Sequence, residues 1–294
     1  MSADIAIFDT LVSEPVANWC ARRRGLRRRG SVWQRSTQLN DVVLPFESYG
    51  VSHKGCVRPT NEDSYLIDPS GGLWLVADGM GGHHAGEVAS STIVEHLTTI
   101  GTASSAPDLR ARFEDRLSRA HLEIRKLSEA HGVTIGSTIA ALLAMDGKFA
   151  CLWSGDSRVY LVRNRSISQI SRDHTEVQEL LDRGVITQTE AQTWPRRNVL
   201  TRAVGVSEDV VIDYQQGDIL PGDVFVLSTD GLTAHVPDVE IEKAVLSAAP
   251  QEACEHLLET VLVRGGSDNV TIVVVRIRTD DGSGDLAGKA NVAG

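Results

Sequence analysis

Five separate stretches of the chain set carboxylates flush against the ends of apolar runs. "LWLVADG" stops at Asp78-Gly79, "VFVLSTDG" at Asp230-Gly231 and "ACLWSGDS" at Asp156, while "GSDNVTIVVV" starts directly after Asp268-Asn269. Upstream, "RPTNEDSYLID" puts Glu62 and Asp63 just before a short apolar strand. A single Asp-Gly pair is ordinary turn chemistry. Five such rims are another matter if they converge, because two like charges about 4 Å apart repel by roughly 4 kcal/mol at an effective dielectric of about 20. No lysine-rich segment accompanies them, and Arg58 alone cannot neutralise the set. An all-oxygen ligand set points to hard divalent ions, magnesium or manganese, rather than zinc. A carboxylate bridging two ions about 3.5 to 4 Å apart defines a two-metal hydrolytic site in which a shared, acidified water is the nucleophile. Gly79, lacking a side chain, can leave its carbonyl open to a metal and turn the chain sharply.

The glycine cluster after Asp78 invites two other readings, and both fail. A dinucleotide fingerprint needs GxGxxG, but Gly79-Met80-Gly81-Gly82-His83-His84 lacks the last glycine. A phosphate loop needs GxxxxGK; Gly81 to Gly86 has the spacing, yet Glu87 stands where the lysine must be. A tight turn beneath a metal ligand is left, with Glu87 favourably placed near a helix start.

The elements that must position these groups are legible from periodicity. Residues 86–100 put Ala89, Ile93, Leu97 and Ile100 on one helical face, and Pro107 opens a second helix with Leu109, Phe113, Leu117, Ala120, Ile124 and Leu127 in register. "STIAALLAM", "KFACLWS", "RVYLVR", "VVIDY", "VFVLS" and "VTIVVVRI" read as strands, and their spacing suggests antiparallel sheets. A hydrophilic insertion over about 171–198 carries a short helix ended by Gly184 and a capping-box start at Thr187 and Glu190. Its few core positions suggest a mobile flap.

Composition sets the class. With 41% hydrophobic and 23% charged residues over 294 positions, the chain is a soluble globular protein long enough for a sizeable core. No apolar run approaches the roughly 18 to 20 residues of a membrane span, and no secretory signal is evident. Cys20, Cys56, Cys151 and Cys254 show no CxxC pairing, so reduced thiols in the cytoplasm are expected. Residues 1–46 hold seven Arg against four acidic residues, +3, so the rest of the chain carries −13 of the net −10. That acidic body argues against nucleic-acid binding, which depends on Lys and Arg, but not against anionic substrates once a divalent cation reverses the local sign. The segment 1–46, with "ARRRGLRRRG", reads as a flexible basic extension and 279–294 as a disordered tail, leaving one domain over 47–278.

The ordered motifs "VRPTNEDS", "VADGMGGHHAGEVAS", "GSTIAA", "WSGDSRVYL", "NVLTRAVG", "LSTDGL" and "GSDNVTIVVV" closely resemble those of the metal-dependent protein phosphatases, the type 2C Ser/Thr phosphatases, in their bacterial form. The resemblance covers about residues 48–278. It implies an α+β fold, a four-layer α-β-β-α sandwich of two antiparallel sheets flanked by helices, with a dinuclear Mn2+ or Mg2+ site at one end. By position, Asp78 resembles the carboxylate bridging both metals and Gly79 the carbonyl ligand. Asp230 and Asp268 resemble ligands of the first metal, Asp63 a ligand of the second, and Glu62 a ligand acting directly or through water. Asp156 matches the position that helps hold a labile third ion, and Arg58 the arginine that clamps the substrate phosphate, for which its fork is suited. Asn269 is expected to orient Asp268 or a metal water. Where eukaryotic members carry a histidine after the Asp-Gly pair, this chain has Met80, which leaves His83 as a candidate general acid or a turn residue; His84, His174 and the other histidines are expected at the surface or in packing. The resemblance implies a monomer acting on a phosphoprotein substrate, opposing a Ser/Thr kinase in signalling or secretion control. A catalytically silent phosphoprotein-binding scaffold on the same fold and a two-metal phosphodiesterase or nuclease are the alternatives.

Overall fold

The computed structural model describes residues 46–82 and 84–278. The basic extension up to residue 45, the tail expected over 279–294 and His83 lie outside the described residues. Two sheets face each other. The first has the order β1-β11-β10-β7-β8, built from β1 (Phe46–His53), β7 (Arg158–Arg163), β8 (Ser166–Gln169), β10 (Val224–Ser228) and β11 (Val270–Ile277). The second has the order β2-β3-β5-β6-β9, from β2 (Asp63–Asp68), β3 (Leu73–Met80), β5 (Ile139–Met145), β6 (Lys148–Ser154) and β9 (Asp213–Asp218), with the short β4 (Gly136–Ser137) pairing the end of β3. All the pairings between these strands are antiparallel, as the spacing predicts.

The central strands read as unbroken apolar runs because both their faces are buried. Along β3, Leu73, Leu75 and Ala77 face outward onto α1 (Ala85–Leu97) and α2 (Ala106–His131), while Trp74 and Val76 face the other sheet. Phe225, Leu227, Val273 and Val275 answer them from across the gap. The outer face of the first sheet, with Tyr160, Val226 and Ile272, is covered by α6 (Asp238–Ser247) and α7 (Pro250–Val263). Helix, sheet, sheet, helix: the four-layer α+β sandwich stands.

Three local expectations are corrected. The strand expected over "VVIDY" is displaced along the chain, because Val210 and Ile212 pack on the α1-α2 cluster and pairing with β6 begins only at Asp213 and runs on to Asp218. Periodicity predicts two helices, whereas the chain forms two more of comparable length to α1, α6 with 10 residues and α7 with 14, and Pro250 opens α7 at a first-turn position. Pairing also begins at Phe46, opposite Ile277, so the first strand starts one residue inside the expected extension.

The insertion after β8 holds α3 (Glu176–Asp182) and α4 (Gln188–Gln192), the latter opened by the predicted capping box of Thr187 and Glu190. Its two roots meet through the Thr175–Leu200 bridge, so the segment is a closed excursion returning to where it left. Among the described residues no helix is long and apolar enough to cross a membrane.

Candidate metal centre

The register brings the carboxylate rims to one end. Ser228 pairs with both Arg158 and Ile272, His53 with Val270, Asp63 with Asp78, and Ile139 with Ser154, so the segments carrying Asp63, Asp78, Asp156, Asp230 and Asp268 leave or enter the sheets on the same side. Side-chain alternation then decides where each points. Positions 74 and 76 on β3, 225 and 227 on β10, and 273 and 275 on β11 face the layer between the sheets. Continuing each alternation by one step reaches Asp78, Thr229 and Thr271. The candidate site is therefore the end of the inter-sheet layer, where apolar side chains give way to carboxylates and hydroxyls.

Hydroxyls brace the most buried carboxylate. Asp63, 7% exposed, accepts hydrogen bonds at Oδ2 from Thr229 Oγ1 at 2.9 Å and Thr271 Oγ1 at 2.8 Å. Its Oδ1 is buried with no protein partner, and so is Oδ1 of Asp230, the first residue of the short helix α5 (Asp230–Thr233). An orphaned buried oxygen costs about 1–3 kcal/mol, more when charged, so two of them at one place call for a cation. Asp78 donates its N–H to Thr138 Oγ1 at 3.0 Å, and Thr138 Oγ1 is 2.7 Å from Ser157 Oγ, which ties the Asp78 strand to the loop of Asp156.

The carboxyls are held far from their ordinary acidity. Burial pushes Asp63 up to about 7 and Asp230 to about 6, with Asp268 adding to both. Asp156 goes up to about 7 through burial and then the charges of Asp230 and Asp173. Asp78 is raised well above the carboxylate range, first by burial and then by Asp63, Asp230, Asp156 and Asp268, and burial raises Glu62 too. Among the described residues no three of these side chains, nor any His or Cys, are already drawn into a closed cage. The arrangement is a rim of mutually repelling oxygens with unused lone pairs. Its chemistry, oxygens only, suits hard divalent ions.

Arg58 is exposed and donates from Nη2 to Asp268 Oδ2 at 2.7 Å, so the expected phosphate clamp and an expected metal ligand hold each other here. The other guanidinium donors remain for an anion. Asn269 meets Asp268 through its backbone N–H and spends its side chain elsewhere. Its side chain donates to the carbonyls of Lys54 and Thr60 and accepts from the Glu62 N–H, fixing the loop that carries Arg58 and Glu62, while its backbone N–H holds Asp268 Oδ1 at 2.8 Å. Thr229 and Thr271 were missed altogether; the signal was a threonine at the in-facing position one step past each apolar run.

Gly79 does not turn the chain. The strand runs on to Met80, and the left-handed conformations come later, at Gly81 with φ 152° and at His84 with φ 68°. What excludes a side chain at Gly79 is proximity: a Cβ would lie 1.9 Å from the Gly86 carbonyl oxygen and 2.7 Å from that of Glu62. Gly79→Ala is therefore expected to cost about 3 kcal/mol or more, a drop of about 6–12 °C or more in melting temperature. Unchanged melting by differential scanning calorimetry would refute this close fit.

Comparison with known proteins gives a consistent set of relatives. A family model described as Protein phosphatase 2C matches residues 50–263. The serine/threonine protein phosphatase PstP of Mycobacterium tuberculosis (strain CDC 1551 / Oshkosh) is 35% identical over 238 residues, 80% of this chain; the chain spans 46%, about half, of that relative's own length. A solved structure described as PppA, a key regulatory component of T6SS in Pseudomonas aeruginosa, is 41% identical, with a TM-score of 0.73 over 79% of this chain and 97% of that one. A structure of the PstP catalytic domain in complex with 2 manganese ions is 32% identical, with a TM-score of 0.70 over 80% of this chain and 99% of that one.

Proposed function

The chain belongs to the protein phosphatase 2C family, and from that premise we propose that it hydrolyses phosphoserine and phosphothreonine in proteins in a single step. The observation carrying this reading is the end of the inter-sheet layer, where Asp63 and Asp230 each keep a buried, unpartnered oxygen within a set of mutually repelling carboxylates.

Asp78, Asp63, Asp230, Asp268 and the Gly79 carbonyl would hold two ions, manganese or magnesium, with Glu62 acting directly or through water and Asp156 serving a third, more labile one. When bound, these ions supply Lewis acidity and an acidified water. The protein's own part is positioning. Thr229 and Thr271 keep Asp63 Oδ2 fixed and leave its buried Oδ1 without a protein partner. Cross-strand pairing sets Asp78 opposite Asp63, about 4.5 to 5.5 Å apart at Cβ. Arg58, released from Asp268, presents its fork to the phosphate oxygens and offsets charge developing there. Met80 at the end of β3 carries no proton to give, so His83 or a water protonates the leaving alkoxide.

We extend the proposal to a cytoplasmic monomer opposing a Ser/Thr kinase. The three described cysteines are free, which supports a reducing compartment, and the 41% identical neighbour described as a regulatory component of T6SS makes secretion control the first pathway to examine. A silent scaffold would be expected to lack a ligand, and each expected ligand position is filled. Phosphate release from phosphoserine and phosphothreonine peptides should require Mn2+ or Mg2+, vanish with chelator, and fall more than about 10²-fold in Asp230→Asn. Wild-type turnover by that variant at saturating Mn2+, or preference for a nucleic acid, would sink the reading.

A further inference from the structure

His174, at the root of the insertion, holds both backbone polar groups of a single residue, Gly155. Its backbone N–H donates to the Gly155 carbonyl at 2.9 Å, and its ring Nδ1 accepts the Gly155 N–H at 3.2 Å. Gly155 needs holding. It sits at φ 109°, in the region open to glycine, and a Cβ there would lie 2.6 Å from the Thr138 side chain. Asp156 is the next residue.

Because a backbone N–H must donate, Nδ1 is the acceptor and the imidazole is the neutral tautomer with its proton on Nε2. Nε2 then donates to Asp213 Oδ2 at 3.1 Å, and Arg202, from the other root, donates to Asp213 Oδ1 at 2.9 Å. His174 is 6% exposed and stacks on Trp153 with ring centroids 6.3 Å apart. Burial holds its ring below the ordinary imidazole range, which agrees with the neutral form. Thr201 N–H closes the unit on the His174 carbonyl at 2.9 Å. Both roots of the insertion and the loop before Asp156 thus meet at one residue, through its backbone and its ring.

We infer that His174 is a positioning residue for Asp156: its neutral ring, anchored by Asp213 and Arg202, grips the Gly155 peptide and couples the insertion to the weakest cation position of the site. The cation part of this rests on the proposed role of Asp156 as a ligand of a third, labile ion; the grip on Gly155 does not. Nothing in the sequence pattern marks His174 for this, since its contact with the loop is through backbone and ring rather than through a ligand position.

Two near-isosteric variants separate the halves of the grip. Asn at 174 keeps an acceptor where Nδ1 lies and loses the reach to Asp213; Gln keeps a donor where Nε2 lies and loses the acceptor facing Gly155. With the full chain, Mn2+ binding is measured by titration with EPR detection of free Mn2+, and exchange of the Gly155 amide by NMR. His174→Gln should weaken the weakest Mn2+ site by about 10–100-fold, the usual scale for losing a partner behind a ligand, leave the tighter sites unchanged, and speed Gly155 exchange at least about tenfold. His174→Asn should stay near wild type in both. Equal behaviour of the two variants, or slow Gly155 exchange in His174→Gln, overturns the inference. Asp156→Ala is the control: if it leaves Mn2+ stoichiometry intact, the ligand role of Asp156 fails, and Gly155 exchange still decides the positioning claim.

Discussion

Asp78→Asn is expected to lower phosphopeptide turnover by at least about 10²- to 10³-fold, the scale of losing one preorganised charge at a reacting centre, while raising the melting temperature of the chelated protein. The two effects share a cause. Asp78 is raised well above its ordinary range by burial and by Asp63, Asp230, Asp156 and Asp268. A carboxyl whose folded pKa is raised contributes its full share of stability only below the unfolded value, and that share is gone once pH passes the folded value. At neutral pH without metal, Asp78 therefore works against the fold. Asparagine has the shape of the protonated acid and no charge to repel. The gain should be about 0.5–2 kcal/mol, or about 1–8 °C. Saturating Mn2+ should reverse the ranking, because ligand binding to the native state raises wild-type stability and the variant has lost a carboxylate charge at the proposed cation site. Calorimetry of both proteins, with chelator and with Mn2+, checks the crossover; a variant that melts lower than wild type in chelator would contradict it.

The second large effect is a change of sign in the pH response. For the chelated protein, acidification from pH ~8 to ~6.5 should raise the melting temperature, because Asp63 and Asp156, pushed up to about 7, and Asp230, to about 6, recover protons the folded state favours. His121 and His174 act in the opposite sense. Burial holds both below the ordinary imidazole range, so the stability they contribute is present above about 6.5 and falls as pH drops through their depressed values. The rise should flatten below that pH. The Mn2+-loaded protein should instead lose stability on acidification throughout, since protons compete with the cation for the same oxygens. Melting curves across this range in chelator and in Mn2+ test the contrast, and parallel curves would refute it.

How much of this was legible in the sequence follows from what each kind of signal encodes. The carboxylate rims were readable because a strand buried on both faces leaves a long apolar run, and its end is sharply marked; Asp78, Asp230, Asp156 and Asp268 all stand at such ends. Face and parity were readable too, and parity would have found Thr229 and Thr271. Partnering at a distance was not. Asn269 pins a loop more than 200 positions away, with Nδ2 reaching the Lys54 and Thr60 carbonyls, and no local pattern announces that. The reason Gly79 must be glycine was likewise hidden, since it lies in the approach of Gly86 rather than in a turn. Val210 and Ile212 show the limit of propensity: a β-branched run was claimed by the helical layer instead of by a ladder.

Of the two threonines that brace Asp63, Thr271 lies in one sheet and Thr229 directly follows a strand of that same sheet, while the aspartate belongs to the other. The carboxylate is thus a rivet through the sandwich. A core substitution that lets the sheets slide by a fraction of an ångström, such as Phe225→Leu beneath Phe149, need not unfold anything to be felt at the rim. Cation affinity would register the slippage before melting temperature did, which makes the metal centre a gauge of how faithfully the distant core is assembled.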